Sequence, residues 1–310
     1  MGKISFVLHS KIRGKKVLIN NIQRLLAAGN ELVYYETKKA NHAESLATKA
    51  LSDGCDYLVA VGGDGTLNEV VNGYLKAGGS GVYKTVLGVL PWGTGNDFAR
   101  STGNEKSVEH LAALIEKKSV RLVDAGEIEY KHENGESTKK YFDNIADFGI
   151  GADVVSRVNA VYLRKVILGG KLLFFFTTLR TILTFKHKPM IVNFDGQRWE
   201  GKIISLVVAN GQFFGSGMGI APEAKIDSGK FQLVIFGNLS VLDYLKHYGK
   251  IRKSEHLDLP EVHYHMASQI SVESVGAKIV LEADGEVGGS SPVTFTCLPG
   301  VLPILAPTVD

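Results

Sequence analysis

Residues 57–68 read Tyr-Leu-Val-Ala-Val-Gly-Gly-Asp-Gly-Thr-Leu-Asn: a β-rich apolar run, three glycines around one acid, then the start of a helical pattern. Strand, glycine turn and helix in that order make an anion-binding element. Glycines let backbone N–H groups close on a negative ligand, and the helix N-terminus adds partial positive charge. Asp64 is the odd member, because a carboxylate beside an anion repels it unless a divalent cation lies between them. The plainer reading is a glycine turn in which Asp64 caps the helix.

Outward from this turn, β-rich runs at 4–8, 31–35, 57–61, 86–90 and 120–124 alternate with helical patterns at 17–28, 42–51, 67–75 and 108–116. That rhythm predicts βαβ units and a parallel sheet. From about residue 127 the pattern changes to short runs at 127–132, 140–146, 190–194, 202–209, 232–236 and 278–284, which predicts an antiparallel β domain. The polar stretch 132–139 reads as a hairpin loop. The expected division is an α/β domain over 1–128, completed by 293–310, and a β-sandwich over 129–292.

A second loop, Pro91-Trp92-Gly93-Thr94-Gly95-Asn96-Asp97-Phe98-Ala99-Arg100, repeats the logic at the next strand end. In a doubly wound sheet, ligands bind beyond the carboxyl ends of the strands, so two such loops can converge on one ligand. Asp124 ends the following strand, and Asp64, Asp97 and Asp124 together read as a cation-binding cluster. No Walker A run, dinucleotide fingerprint or protein-kinase motif set occurs. His263 and His265 share a strand face but lack an evident third ligand and read as structural.

Composition narrows the partners. With 310 residues, 45% of them hydrophobic and 22% charged, the chain can build about two cores and is not disordered in character. A net charge of +3 is too mild to argue for nucleic acid. Cys55 and Cys297, the only cysteines, form neither a disulfide framework nor a metal knuckle, and fit a cytoplasmic setting. The apolar start is too short for a signal peptide, and Phe6 stands where myristoylation of Gly2 needs a hydroxyl. Residues 161–185 are the most apolar stretch, yet Arg164, Lys165, Lys171 and Arg180 interrupt it short of a membrane span. Leu172, Phe175, Phe176, Leu179 and Leu183 fall on one helical face, to pack on the sheet or to meet acyl chains.

Residues 62–68 and 93–99 closely resemble the GGDGT and GTxNDFA motifs of the diacylglycerol kinase catalytic family, which includes bacterial lipid kinases and is related to sphingosine kinases. The likeness runs on through Asp124 and Gly126, 144–153, 210–231 and 283–286. It implies an NAD kinase-like α/β domain, a β-sandwich domain, and ATP-dependent transfer to a lipid hydroxyl entering between them, with diacylglycerol the default acceptor. It further implies ATP contacts from Ser10, Lys11, Gly14, Thr37, Gly62, Gly63, Asp64, Gly65, Thr66, Leu67, Asn68 and Thr94, and a water-assisted Mg²⁺ network on Asp64, Asp97 and Asp124. The late Asp284-Gly285-Glu286 segment supplies the base, Glu286 with Asp284 as fallback; a plain hairpin turn is the alternative there. A lipid substrate at the membrane surface follows, reached by peripheral association, with a homodimer left open. Sphingoid bases, phosphatidylglycerol or a polyprenol as acceptor, an NAD kinase-like soluble substrate, and a non-catalytic lipid-binding protein remain the competing readings.

Two departures stand out. The family's first phosphate loop, Asn-Pro-x-Ser-Gly, reads here as His9-Ser10-Lys11-Ile12-Arg13-Gly14, with Lys11, Arg13, Lys15 and Lys16 either as substitute positive charge or as a solvated basic turn. A paired Asp-Asp-Gly reads here as Asp227-Ser228-Gly229, which argues against carrying over the second, structural Mg²⁺ of some bacterial members.

Overall fold

The apolar runs of the first domain are nearly continuous, as strands covered on both faces require. The computed structural model describes residues 2–131, 136–153 and 184–308. Its first domain runs β1 (Gly2–Leu8), α1 (Lys15–Leu26), β2 (Asn30–Glu36), α2 (Ala43–Ser52), β3 (Tyr57–Gly62), α3 (Asp64–Lys76), β4 (Val86–Pro91), α4 (Asp97–Thr102), α5 (Val108–Lys117) and β5 (Val120–Lys131). Strands β2, β1, β3 and β4 lie side by side and parallel. On one face α1 and α5 bury Leu18, Ile22 and Leu111 against Phe6 and Val61. On the other, α2 and α3 bury Ala47, Val70 and Tyr74 against Leu58 and Ala60. Helices on both faces leave only the strand ends open, and that is where the two glycine loops emerge.

The second domain adds β6 (Ser137–Phe142), β7 (Ile145–Gly149), β8 (Lys188–Phe194), β9 (Gln197–Ile203), β10 (Ser205–Ala209), β11 (Phe213–Phe214), β12 (Met218–Gly219) and β13 (Phe231–Phe236). It ends with α6 (Val241–Arg252), β14 (Val262–Ala267), β15 (Gln269–Ser274), β16 (Val280–Ala283), β17 (Glu286–Ser290) and β18 (Val293–Leu305). A six-stranded antiparallel sheet, β14-β13-β10-β7-β16-β17, faces the β5, β6, β8, β9 and β15 part of the larger sheet. Phe142, Phe148, Phe231 and Phe295 fill the space between, and Phe295 meets both Phe142 and Phe148 edge to face. The expected α/β plus antiparallel-sandwich architecture is the one observed.

Three boundaries differ from the sequence reading. The runs 120–124 and 127–132 are one strand, β5, which with β18 passes through both domains; β18 pairs with β4 near Ile304 and with β15 near Val293. The run 140–146 is two strands in different sheets, because the chain crosses at the buried polar pair Asp143 and Asn144. The run 202–209 likewise changes sheets at Ile204, whose N–H bonds to Phe236 and Gly237. Alternation cannot register such crossings, since the residues stay buried on both sides. Residues 132–135 of the expected hairpin loop, and all but the last two of the amphipathic stretch 161–185, lie outside the described residues. Among the described residues, no helix is long and apolar enough to cross a membrane.

Candidate active site

The glycine turn after β3 and the loop after β4 touch backbone to backbone. A Cβ on Gly93 would stand 2.3 Å from the Gly63 Cα, so only glycine admits this approach. Gly63 is the N-cap of α3, in extended backbone and with no side-chain cap, which leaves the first N–H groups of the helix for a ligand. The helix starts at Asp64, three residues before the expected 67. Asp64 does not cap it: the carboxylate turns away and Oδ1 accepts a hydrogen bond from the Phe98 N–H at 3.3 Å.

An open cavity of about 650 Å³ lies over this junction, and Gly62, Gly63, Gly65, Thr66, Thr94 and Lys11 line it. The structure thereby brings six of the twelve expected nucleotide residues together. The others serve the cavity from behind. Thr37 is buried and its Oγ1 accepts the Ser10 N–H at 3.0 Å, fixing the first loop; Gly14, in left-handed backbone, is the N-cap of α1. Leu67 is buried in the core beneath. Asn68 faces the second domain, where its Nδ2 donates to Asp284 at 2.7 Å and to Asp143 at 3.3 Å.

Side chains that the sequence reading did not assign complete the wall: His9, Ile12, Ala40, Glu69, Trp92 and Lys106. Of the substitute cations, Lys11 and Arg13 line the cavity, whereas Lys15 is drawn into an ion pair with Glu36. Lys106 Nζ lies 4.9 Å from the Trp92 ring centroid, and the Trp92 indole donates to the Arg13 carbonyl at 3.3 Å. Glu69 was legible in principle, being one helical turn beyond Thr66. Lys106 carries no local signal, because it arrives from the loop before α5.

The two loop aspartates converge. A Cβ on Gly95 would stand 2.8 Å from Asp64 Oδ2 and 3.3 Å from Asp97 Oδ2. Asp97 is buried; its Oδ2 accepts the Ser216 N–H at 2.8 Å, while Oδ1 has no hydrogen-bond partner among the described residues and lies 3.7 Å from Arg100 Nε. Burial, and then the neighbouring Asp64, pushes its pKa up. Ser216 comes from the β11–β12 turn of the second domain.

Asp124 is a correction to the expected cluster. It is buried with both oxygens satisfied, Oδ2 by the Gly229 N–H at 2.6 Å and Oδ1 by the Gly300 N–H at 2.8 Å. It ties the Gly229 turn of the second domain and the irregularity of β18 at Gly300 to β5. Among the described residues, no group of three His, Cys, Asp or Glu side chains is arranged to hold a metal ion. Close by, Asp227 accepts from Arg121 Nε and Nη2 at 2.9 and 2.7 Å, so a guanidinium supplies the positive charge beside it. His263 and His265 stack on each other, packed with Trp199 and Phe194.

The Asp284-Gly285 pair does form a tight hairpin turn between β16 and β17, with φ of 49° and 87° and Ala283 opposite Glu286. Asp284 is no free base. Its Oδ2 accepts from Asn68 and from the Asp143 N–H, and its Oδ1 from the Ile145 N–H at 2.9 Å. Burial raises its pKa, against the pull of these donors, to about 6. Asp143, which the sequence reading left unassigned, is fully buried beside it and has its pKa pushed far up by burial and by Asp284. Glu286 is exposed and stands close enough to Glu69 of the cavity wall to push that carboxyl's pKa up, although burial is the larger cause.

Comparison with known proteins agrees with this geometry. Residues 9–128 match the family described as the diacylglycerol kinase catalytic domain, and residues 144–306 the YegS C-terminal NAD kinase beta sandwich-like domain. The chain is 28% identical over 289 residues to the diacylglycerol kinase of Bacillus subtilis (strain 168), covering 92% of this chain and 88% of that protein. It is 29% identical over 314 residues to the diacylglycerol kinase of Staphylococcus aureus (strain JH9), covering 99% and 93%. A diacylglycerol kinase structure from Bacillus anthracis str. Sterne superposes with a TM-score of 0.74 at 21% identity, over 98% of this chain and 97% of that one. Yeast NADH kinase complexed with NADH superposes at 0.55 and 9% identity, over 97% and 82%, which places the fold and nothing more. Two glycine loops over one cavity, a diacylglycerol kinase catalytic match followed by a YegS C-terminal match, and relatives aligned almost end to end agree: the chain belongs to the bacterial diacylglycerol kinase catalytic, YegS-like family and is a lipid kinase.

Proposed function

We propose that the protein transfers the γ-phosphoryl group of ATP to the primary hydroxyl of diacylglycerol, giving phosphatidate, at the surface of a membrane. The observation that carries this reading is the cavity itself. An uncapped helix N-terminus, a glycine turn and three cations (Lys11, Arg13, Lys106) line one side, and an exposed carboxylate from the other domain stands at its edge. Phosphates belong on the Gly62–Thr66 turn, with Arg13 and Lys106 countering their charge.

Asp64 and Asp97 fit a divalent cation. Two adjacent carboxylates, one with a buried oxygen that accepts no hydrogen bond among the described residues and has only Arg100 at 3.7 Å, are the hard donors that Mg²⁺ takes alongside water and phosphate oxygens. Mg²⁺ there would neutralise charge developing on the transferring phosphoryl oxygens. Glu286 takes the proton of the acceptor hydroxyl as its oxygen attacks the γ-phosphorus; the bond to the bridging oxygen breaks and ADP leaves. Asp284 holds the turn. Cytoplasmic location, a place in phospholipid synthesis and a peripheral approach to the membrane go with this reading.

The test is incubation with labelled ATP and Mg²⁺ across diacylglycerol, sphingoid base, phosphatidylglycerol and polyprenol in mixed micelles, with NAD as the soluble alternative. Label in phosphatidate, lost in Asp64→Asn, is expected. Label in NAD alone would sink the proposal.

A further inference from the structure

A second buried carboxyl pair lies on the six-stranded sheet, outside the nucleotide cavity. Asp147 of β7 and Glu282 of β16 are direct cross-strand partners, 1% and 5% exposed. Cross-strand partners point to the same face of a sheet, and Asp147 Oδ1 is buried with no other hydrogen-bond partner among the described residues, so the two carboxyls sit together only with a proton between them. Each also receives one backbone donor. Asp147 Oδ2 accepts the Ala152 N–H at 3.2 Å, and Glu282 Oε1 accepts the N–H of Gly285, in the turn that precedes Glu286.

We propose that Glu282, paired with Asp147, is a positioning residue for phosphoryl transfer: it holds the Asp284-Gly285 turn that presents Glu286, and does so only while the pair shares a proton. The role rests on reading Glu286 as the acceptor's base. Directly opposed residues of an antiparallel pair are about 5 Å apart at Cα, so two ionised carboxylates there repel across a short, dry gap. The register shift between Leu281 and Glu282 gives β16 freedom to release the strain, and the Gly285 bond is what it releases. Among the described residues, nothing nearby relieves the repulsion. Asp153, which faces Asp147, is already paired with Lys188 at 2.7 Å, Asp284 adds negative charge beside Glu282, and the β10 neighbour of Asp147 is Val207. Burial, followed by Asp147, drives the Glu282 pKa well up, in the direction this arrangement needs.

The experiment is the pH profile of kcat for diacylglycerol in micelles, in wild type, Glu282→Gln and Glu282→Leu. Glutamine can still donate to Asp147 and accept from Gly285. We expect it to keep neutral-pH kcat within about threefold of wild type and to abolish the alkaline fall that wild type shows. Leucine keeps the volume but loses both bonds; kcat falls roughly tenfold or more, as misplacement of a reacting group by a fraction of an ångström costs, while KM for ATP is unchanged. Thermal unfolding against pH reads the proton without substrate: wild-type Tm falls as pH rises through the pair's pKa, and Glu282→Gln Tm does not. Wild-type kcat in Glu282→Leu, or an undiminished alkaline fall in Glu282→Gln, would overturn the proposal. Absence of lipid phosphorylation by wild type, with the Tm difference intact, would instead overturn the reaction on which it rests.

Discussion

Asp64 and Asp97 each open a helix beyond a parallel strand, whereas Asp124 lies within β5, and the two settings differ in their chemistry. Asp97 keeps a buried oxygen that accepts no hydrogen bond among the described residues, beside a second carboxylate and with Arg100 Nε 3.7 Å away. Asp124 has a backbone N–H on each oxygen. Two amides hold Asp124 in place and fill part of its accepting capacity, whereas the Asp97 oxygen has none filled by a hydrogen bond, so position along the sheet alone does not make a ligand. One pair sets two carboxylates against a single guanidinium, Arg100; the other residue is a clasp.

The sharpest way to break this contrast is Asp64→Asn, which removes charge from the pair without changing its shape. Lipid phosphorylation should fall about 10³-fold or more, with Tm preserved; substantial activity would dissolve the distinction. Glu286→Gln comes next, with kcat lower by about 10² to 10⁴, the range for a lost general base, and ATP binding by calorimetry unchanged. Acidification follows. Asp284 accepts three donors as a carboxylate, so kcat should decline as pH drops below about 6, where that group gains its proton. Folding raises this pKa, so stability from the same group changes the opposite way and falls as pH rises towards that value. A pH profile flat to pH 5 would remove Asp284 from the turn's support. Lys106→Gln should raise KM for ATP severalfold, with the effect shrinking in salt because the cation is partly solvated; equal effects on adenosine and ATP binding would make Lys106 a stacking and not a phosphate residue. Asp124→Asn closes the series. One amide loses its acceptor, costing about 1–3 kcal/mol of stability and lowering Tm, while kcat per folded molecule stays within a few-fold. A loss on the scale of Asp64→Asn would return Asp124 to the metal site.

The parallel sheet and both glycine loops were legible because each is built from residues close together within successive βα units. Sheet crossings at Asp143 and Ile204 were not, since the residues flanking them are buried without a break. Lys106 and Ser216 escaped for another reason: each reaches the site from a distant loop, and nothing in its own neighbourhood marks it.

What the sequence determined by itself is the anion-binding turn at Gly62 to Thr66, its twin at Gly93 to Asp97, and the Asp284-Gly285 hairpin that offers Glu286, because glycine, acid and spacing are local chemistry. Only the tertiary structure decided which acids are spoken for. Asp124 is silenced by amides 105 and 176 residues away, Asp284 by Asn68 at a separation of 216, and Glu282 is joined to Asp147 across a strand pairing. A carboxylate's availability depends on donors that the fold delivers, and long-range pairing alone sets where those donors arrive.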